Sequence, residues 1–108
     1  MKLNRLERDK IQLLPQKTKI RQGLTIVSKP RPSYTEEAFA KKIMGYEKFR
    51  LAFGADGFIS NIVVTQNIDD GLLTQTIFAA IRIRFLPQET NGKPETVVKK
   101  IEYGFEIY

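Results

Sequence analysis

The sequence predicts an α+β two-layer sandwich: an antiparallel three-stranded sheet, built from a hairpin plus a long C-terminal strand, with two helices on one face. Three observations predict it. Residues 46–66 alternate apolar and polar on both sides of Gly54-Ala55-Asp56-Gly57, the pattern of two strands joined by a tight turn. Residues 96–108 alternate again, over the longest such run in the chain. Two short segments carry helix-start signals, one at Thr35 and one at Asp69-Asp70-Gly71. Elements in this order suit helices gathered on one side of an antiparallel sheet.

Each element has its own local reason. Residues 1–23 are polar and weakly periodic, and read as a basic, flexible arm or linker with at most a short helix near Leu6–Leu14. Leu24-Thr25-Ile26-Val27 is β-prone. Lys29-Pro30-Arg31-Pro32-Ser33 resists helix and ladder alike, because proline fixes φ and lacks a donor, so it reads as an extended connector. Thr35 is a candidate N-cap, Glu36 and Glu37 suit the first turn of a helix, and Gly45 is the expected stop. Phe49, Leu51 and Phe53 form the inward face of the first strand, with Lys48, Arg50 and Ala52 opposite. Glu47 falls on the inward phase, where an apolar residue is usual. The returning strand, 58–66, slips phase between Ile59 and Ile62, which predicts a bulge.

Asp69 and Asp70 read as capping residues of a second helix whose apolar face is Leu73, Ile77, Ala80 and Ile81, ending near Ile83 ahead of Pro87. Residues 88–94 read as a polar loop with Asn91-Gly92 at its tip. In the last strand Val97, Lys99, Ile101, Tyr103, Phe105 and Ile107 share one face, and Val98, Lys100, Glu102, Gly104, Glu106 and Tyr108 the other. Gly104 has two readings: a bulge, or room for a partner.

Composition removes whole classes of chemistry. The 108 residues contain no Cys and no His. That excludes zinc sites built on thiolate or imidazole, imidazole-activated nucleophiles and dithiol redox chemistry. No pair of acids is placed for general acid–base work, so no catalytic residue, metal ligand or cofactor is expected. The net charge of +6 suggests nucleic acid until it is divided along the chain. Residues 1–31 hold nine Lys or Arg and two acids, whereas residues 32–108 hold nine and ten. The folded part is therefore close to neutral, and its function is not expected to be nucleic-acid binding; that alternative would use the basic arm, with Tyr103 and Phe105 as a stacking platform. The alternation of the last strand places those two rings in the core instead. No apolar run is long enough for a spanning helix.

Several stretches resemble, in order, the C-terminal domain of TonB-type energy transducers. They are Val27-Ser28-Lys29-Pro30-Arg31-Pro32-Ser33-Tyr34-Thr35-Glu36-Glu37-Ala38, then Phe49-Arg50-Leu51-Ala52-Phe53-Gly54-Ala55-Asp56-Gly57, Asn61-Ile62-Val63-Val64 and Asp70-Gly71-Leu72. Ile83-Arg84-Phe85-Leu86-Pro87, Asn91-Gly92-Lys93-Pro94 and Ile101-Glu102-Tyr103-Gly104-Phe105-Glu106-Ile107-Tyr108 continue the likeness, which spans residues 24–108. Thr35 stands where the family often has Pro, and Phe39 and Ile81 where it often has Arg.

The resemblance implies a periplasmic receptor-binding domain at the soluble end of an inner-membrane-anchored protein. It would bind the TonB box of an outer-membrane transporter and be driven by the ExbB–ExbD complex through the rest of a full-length protein, for uptake of iron chelates such as siderophores, cobalamin or similar cargo. By the same resemblance, the peptide-binding residues would be those of the last strand: Val97, Val98, Lys99, Lys100, Ile101, Glu102, Tyr103, Gly104, Phe105 and Glu106. The connector residues Lys29, Arg31, Ser33 and Tyr34 would be a secondary receptor contact. The mechanism is β-strand addition, in which a visiting peptide completes the ladder of an exposed edge. The same edge would admit a second copy of the chain, giving a homodimer.

Overall fold

The computed structural model describes Asn4 and residues 20–107. The short helix expected near Leu6–Leu14, and the flexibility expected of the arm, lie outside the described residues. In chain order the elements are β1 (Arg21–Gln22), β2 (Thr25–Ser28), α1 (Glu36–Ala40), β3 (Gly45–Phe53), β4 (Ile59–Gln66), α2 (Leu72–Ala80), β5 (Arg84–Leu86), β6 (Gln88–Thr90), β7 (Lys93–Glu95) and β8 (Val97–Phe105).

The main sheet has the order β4-β3-β8, antiparallel throughout, so the expected hairpin plus last strand is present with β3 in the middle. The inward phase is the expected one. Phe49, Leu51, Phe53, Tyr103 and Phe105 are buried together with Ala38 from α1 and Leu72, Ala79 and Ala80 from α2. Both helices thus cover one face. The opposite face carries the exposed Arg50, Lys100 and Glu102. The β4 bulge falls where the phase slip predicts it: Arg50 pairs with Val63 but Ala52 with Ser60, and Asn61 takes a φ of 49°. A second shift lies between the Lys48–Gln66 and Phe49–Val64 pairs. At the β3–β4 turn Gly54 N–H donates to Phe58 O at 3.0 Å, and the Asp56 carboxylate accepts from Phe58 N–H at 3.0 Å. A side chain on Gly54 would run into both Asp56 and Phe58 O.

Several expectations are corrected. The polar loop at residues 88–94 is a hairpin, β6 and β7, with Asn91-Gly92 as its two-residue turn, both at positive φ. Arg21 and Gln22, assigned to the arm in the sequence, pair with Thr90 and Glu89. Asn91 secures that pairing from both directions, since its side-chain oxygen accepts from Ile20 N–H at 3.1 Å and its N–H donates to Ile20 O at 2.8 Å. Residues 84–86 do not merely trail the helix but form β5 against β2. A further correction concerns α2, whose buried face is Leu72, Thr76, Ala79 and Ala80, with Leu73 and Ile77 at its margin and Ile81 exposed. Thr76 tolerates full burial because its hydroxyl donates to Leu72 O at 2.6 Å.

Helix α1 begins as expected and ends early. The Thr35 hydroxyl accepts from Ala38 N–H at 3.1 Å and itself donates to Asp70 O, so one side chain caps α1 and ties it to the turn before α2. Asp69 and Asp70 do not cap α2 with their side chains. The N-cap is Gly71, without a side-chain bond, and the Asp70 carboxylate instead pairs with Lys41 at 3.2 Å. The α1 stop is not Gly45. Lys42 takes a φ of 55°, its N–H donates to Phe39 O, and Ile43 N–H reaches back to Ala38 O at 2.9 Å, a Schellman motif with lysine in the left-handed position. Lys42→Gly is expected to stabilise the domain by about 0.5–1 kcal/mol, because glycine enters that region without the Cβ clash. Urea denaturation checks it; a loss of stability would mean that the Lys42 side chain matters more than its backbone.

Glu47 is fully buried on the inward phase. One carboxyl oxygen accepts from Ile68 N–H at 3.0 Å, and the other has no hydrogen-bond partner among the described residues. Burial pushes its pKa up. The Ile68 amide pulls it down, and the Asp69 charge raises it further. Between the ordinary carboxyl value and this raised one, the folded state keeps a proton that the unfolded chain has lost. Stability therefore falls as pH rises through that window. Glu47→Gln keeps an acceptor for Ile68 and removes the ionisation. It is expected to flatten the fall and to stabilise the domain by about 1 kcal/mol at neutral pH. Denaturation series across pH would show it; a variant less stable than the parent at neutral pH would overturn the assignment.

Candidate functional site: a free strand edge beside the proline connector

Strand β8 is the outer strand of its sheet, and no described strand pairs with its far side. Two contacts establish which of its backbone groups face outward. The Tyr46 carbonyl accepts from Gln66 Nε2 at 3.0 Å, so Tyr46 points toward β4 and its β8 partner Gly104 points away from β3. Glu102 O accepts from Lys29 Nζ at 2.7 Å, on the open side. In an antiparallel ladder both backbone groups of one residue face the same neighbour, and successive residues alternate. Val98, Lys100, Glu102 and Gly104 therefore offer N–H and C=O groups outward, while Val97, Lys99, Ile101, Tyr103 and Phe105 bond to β3.

The pleat separates side chains as well. Tyr103 and Phe105 are buried in the core, so they make no stacking platform. Burial pushes the Tyr103 hydroxyl up to about 12. Val98, Lys99, Lys100, Glu102, Gly104 and Glu106 are exposed, with Val97 and Ile101 half-buried. Gly104 is neither a bulge nor an open space. The β3–β8 register runs unbroken from Gly45–Phe105 to Phe53–Val97, and a Cβ on Gly104 would lie 3.2 Å from the Tyr46 ring. The glycine gives its space to the ring of its cross-strand partner. On the same face Lys48 and Glu102, also cross-strand partners, approach to 3.7 Å.

The connector lies along the C-terminal half of this edge. Pro30, Pro32 and Tyr34 are half-buried and alternate with exposed Lys29, Arg31 and Ser33, as an extended chain against a surface must. Tyr34 anchors it. Its ring meets Phe105 edge-on at 5.2 Å and Phe39 at 5.8 Å, and its hydroxyl donates to Ile43 O at 2.8 Å. Burial raises the Tyr34 pKa, and the Glu106 charge adds to it. Phe39, where the resembled family often has Arg, thus braces the connector with its ring.

Residues 29–32 and 34 on one wall and 102–106 on the other enclose a groove of about 440 Å³. The predicted site residues Lys29, Arg31, Tyr34 and Glu102 to Glu106 come together there. Ser33 does not line it, and residues 97–101 lie further along the open edge. Sequence reasoning missed Tyr46, Gln66 and Lys48, whose roles depend on strand register. Only their place on the outward phase could have pointed to them.

No family model matches the sequence, and no curated protein matches it. Among solved structures, the solution NMR structure of the Pseudomonas aeruginosa TonB CTD (C-terminal domain) matches at 23% identity and a TM-score of 0.65, over 80% of this chain and 88% of that one. The element order, the antiparallel sheets and the two helices together make this a TonB C-terminal-domain-like fold.

Proposed function

We propose that the chain is the receptor-binding end of a TonB-type transducer. It captures an extended segment of an outer-membrane transporter, its TonB box, on the β8 edge and passes on force that originates in the proton-driven ExbB–ExbD complex. On this reading it works in the periplasm, as the soluble end of an anchored protein, in the uptake of scarce cargo such as iron chelates. It is a binding module, not an enzyme. The observation that carries the reading is the outer edge of β8, nine residues long, with its outward backbone groups beside a groove. Main-chain hydrogen bonds supply the affinity of such docking and side chains tune the choice of partner. Lys99, Lys100, Glu102 and Glu106 keep the same edge from pairing indiscriminately, although a second copy of the chain remains a competitor for it.

The test is an amide-shift titration with a TonB-box peptide. Val98, Lys100, Glu102 and Gly104 should move most. Shifts confined to the Asp56 turn or to the residues before Ile20, with β8 silent, would rule the site out.

A further inference from the structure

The β8 edge is not uniformly open. Among the described residues, no hydrogen bond runs from the connector to the outward groups of Val98 and Lys100. At Glu102 the outward carbonyl is already occupied by the Lys29 ammonium at 2.7 Å, and that ammonium also lies 4.4 Å from the centroid of the Tyr103 ring. A strand that pairs along the whole edge needs the Glu102 carbonyl for its own N–H, so it competes with Lys29 for that oxygen.

Displacement has a cost that depends on the visitor. Lys29 forms no ion pair among the described residues, and the Glu102 carboxylate pairs with Lys48 instead. The Glu102 carboxylate is drawn to Lys48 on the outer face, while Lys29 lies against Tyr103 on the inner one. Packing against the strand desolvates the ammonium and lowers its pKa, only partly offset by the Glu102 charge. A neutral strand takes the carbonyl and leaves this cation with the ring, solvent and the longer-range Glu102 charge. A strand with a carboxylate at that point takes the carbonyl and gives the ammonium a charge-assisted partner in return.

We propose that Lys29 is a specificity-determining residue of the β8 edge: it disfavours full-length pairing by neutral strands and favours strands that carry an acidic residue opposite the Glu102–Gly104 stretch. This inference rests on the reading of β8 as a docking edge. Selection of this kind is a difference between two affinities, set as much by what the site refuses as by what it holds.

The experiment supplies the strand in cis. A segment of about ten alternating Thr and Val residues is fused after Tyr108 through a Gly-Ser linker, which lets it fold back antiparallel on β8 at a local concentration of order mM. One version carries Glu at the position facing Glu102, and the other carries Gln there. The readout is hydrogen-exchange protection of the outward amides of Val98, Lys100, Glu102 and Gly104. In the parent the Glu strand should protect Glu102 and Gly104 about fivefold more than the Gln strand, in keeping with a partly exposed ion pair. Lys29→Met should abolish that preference and raise protection by the Gln strand. Lys29→Arg should retain the preference. Equal protection by the two strands in the parent, or a preference that survives in Lys29→Met, would overturn the gate while leaving strand addition intact. If neither strand protects any of the four amides, in the parent or in Lys29→Met, strand addition itself fails and the gate fails with it.

Discussion

Leu51→Ala and Phe105→Ala are each expected to lower the stability of the domain by about 2–5 kcal/mol. Leu51 sits on the inward face of β3, fully buried. Phe105 ends the inward face of β8 at 3% exposure, with Tyr34 edge-on against its ring. Truncation at either site loses the burial of the deleted carbons and leaves a cavity among neighbours held by the sheet ladder and both helices. Arg50→Ala, on the exposed face of the same strand, should change stability by no more than about 0.5 kcal/mol. Chemical denaturation of the three variants checks the set, with an unchanged denaturant slope showing that the folded state is otherwise intact. Losses near zero at Leu51 and Phe105 would mean that the inward phase is wrong.

The second large effect comes from proline along β8. Glu102 directs its N–H outward, so Glu102→Pro removes a donor from the open edge and points the ring at the visitor. Proline is tolerated on that side of an edge strand. The fold should survive, and binding of a TonB-box peptide should weaken by about tenfold or more as backbone bonds to the edge are lost. Ile101 directs its N–H to β3, opposite Phe49. Ile101→Pro should therefore cost about 3 kcal/mol or more of stability before binding is even at issue. Far-ultraviolet circular dichroism and the peptide titration separate the two. If both variants fold equally well, or Glu102→Pro binds as the parent does, the alternation along β8 is not as described.

Legibility from the sequence followed the strength of each local pattern. The three long strands were readable because each buries one face and exposes the other, so period-2 alternation carries the answer. The β4 bulge was readable for the same reason, as a break in that alternation. Strands β1, β6 and β7 were not, since they are two or three residues each, polar, and in β7 built around Pro94. Only the Asn91-Gly92 turn hinted at them. The face of α2 was misjudged because seven of the ten residues from Leu72 to Ile81 are apolar and fall on every side of the helix. The decision falls to Thr76, whose buried hydroxyl satisfies itself on its own helix. At the candidate site, the choice of β8 and the connector as the proposed peptide contact was open to reading through the family resemblance. Their contact was not, because the reach of Lys29 to Glu102 spans 73 positions in sequence.

The way the connector is laid down has a mechanical consequence. A pull applied at Ile20 does not load the core first. It meets β1, held by two residue pairs and the Asn91 bonds, and then β2, held by three pairs and exposed along its whole length. These attachments are arranged in series and detach one after another, so tension peels the N-terminal strands while β3 and β8 stay zipped over nine pairs. Lys29 is the next residue after β2 and Tyr34 the next firm anchor. Peeling that far would draw the ammonium away from Glu102 while the aromatic cluster still grips the connector. Load along the chain and access to the strand edge are thereby coupled through a lever only a few residues long.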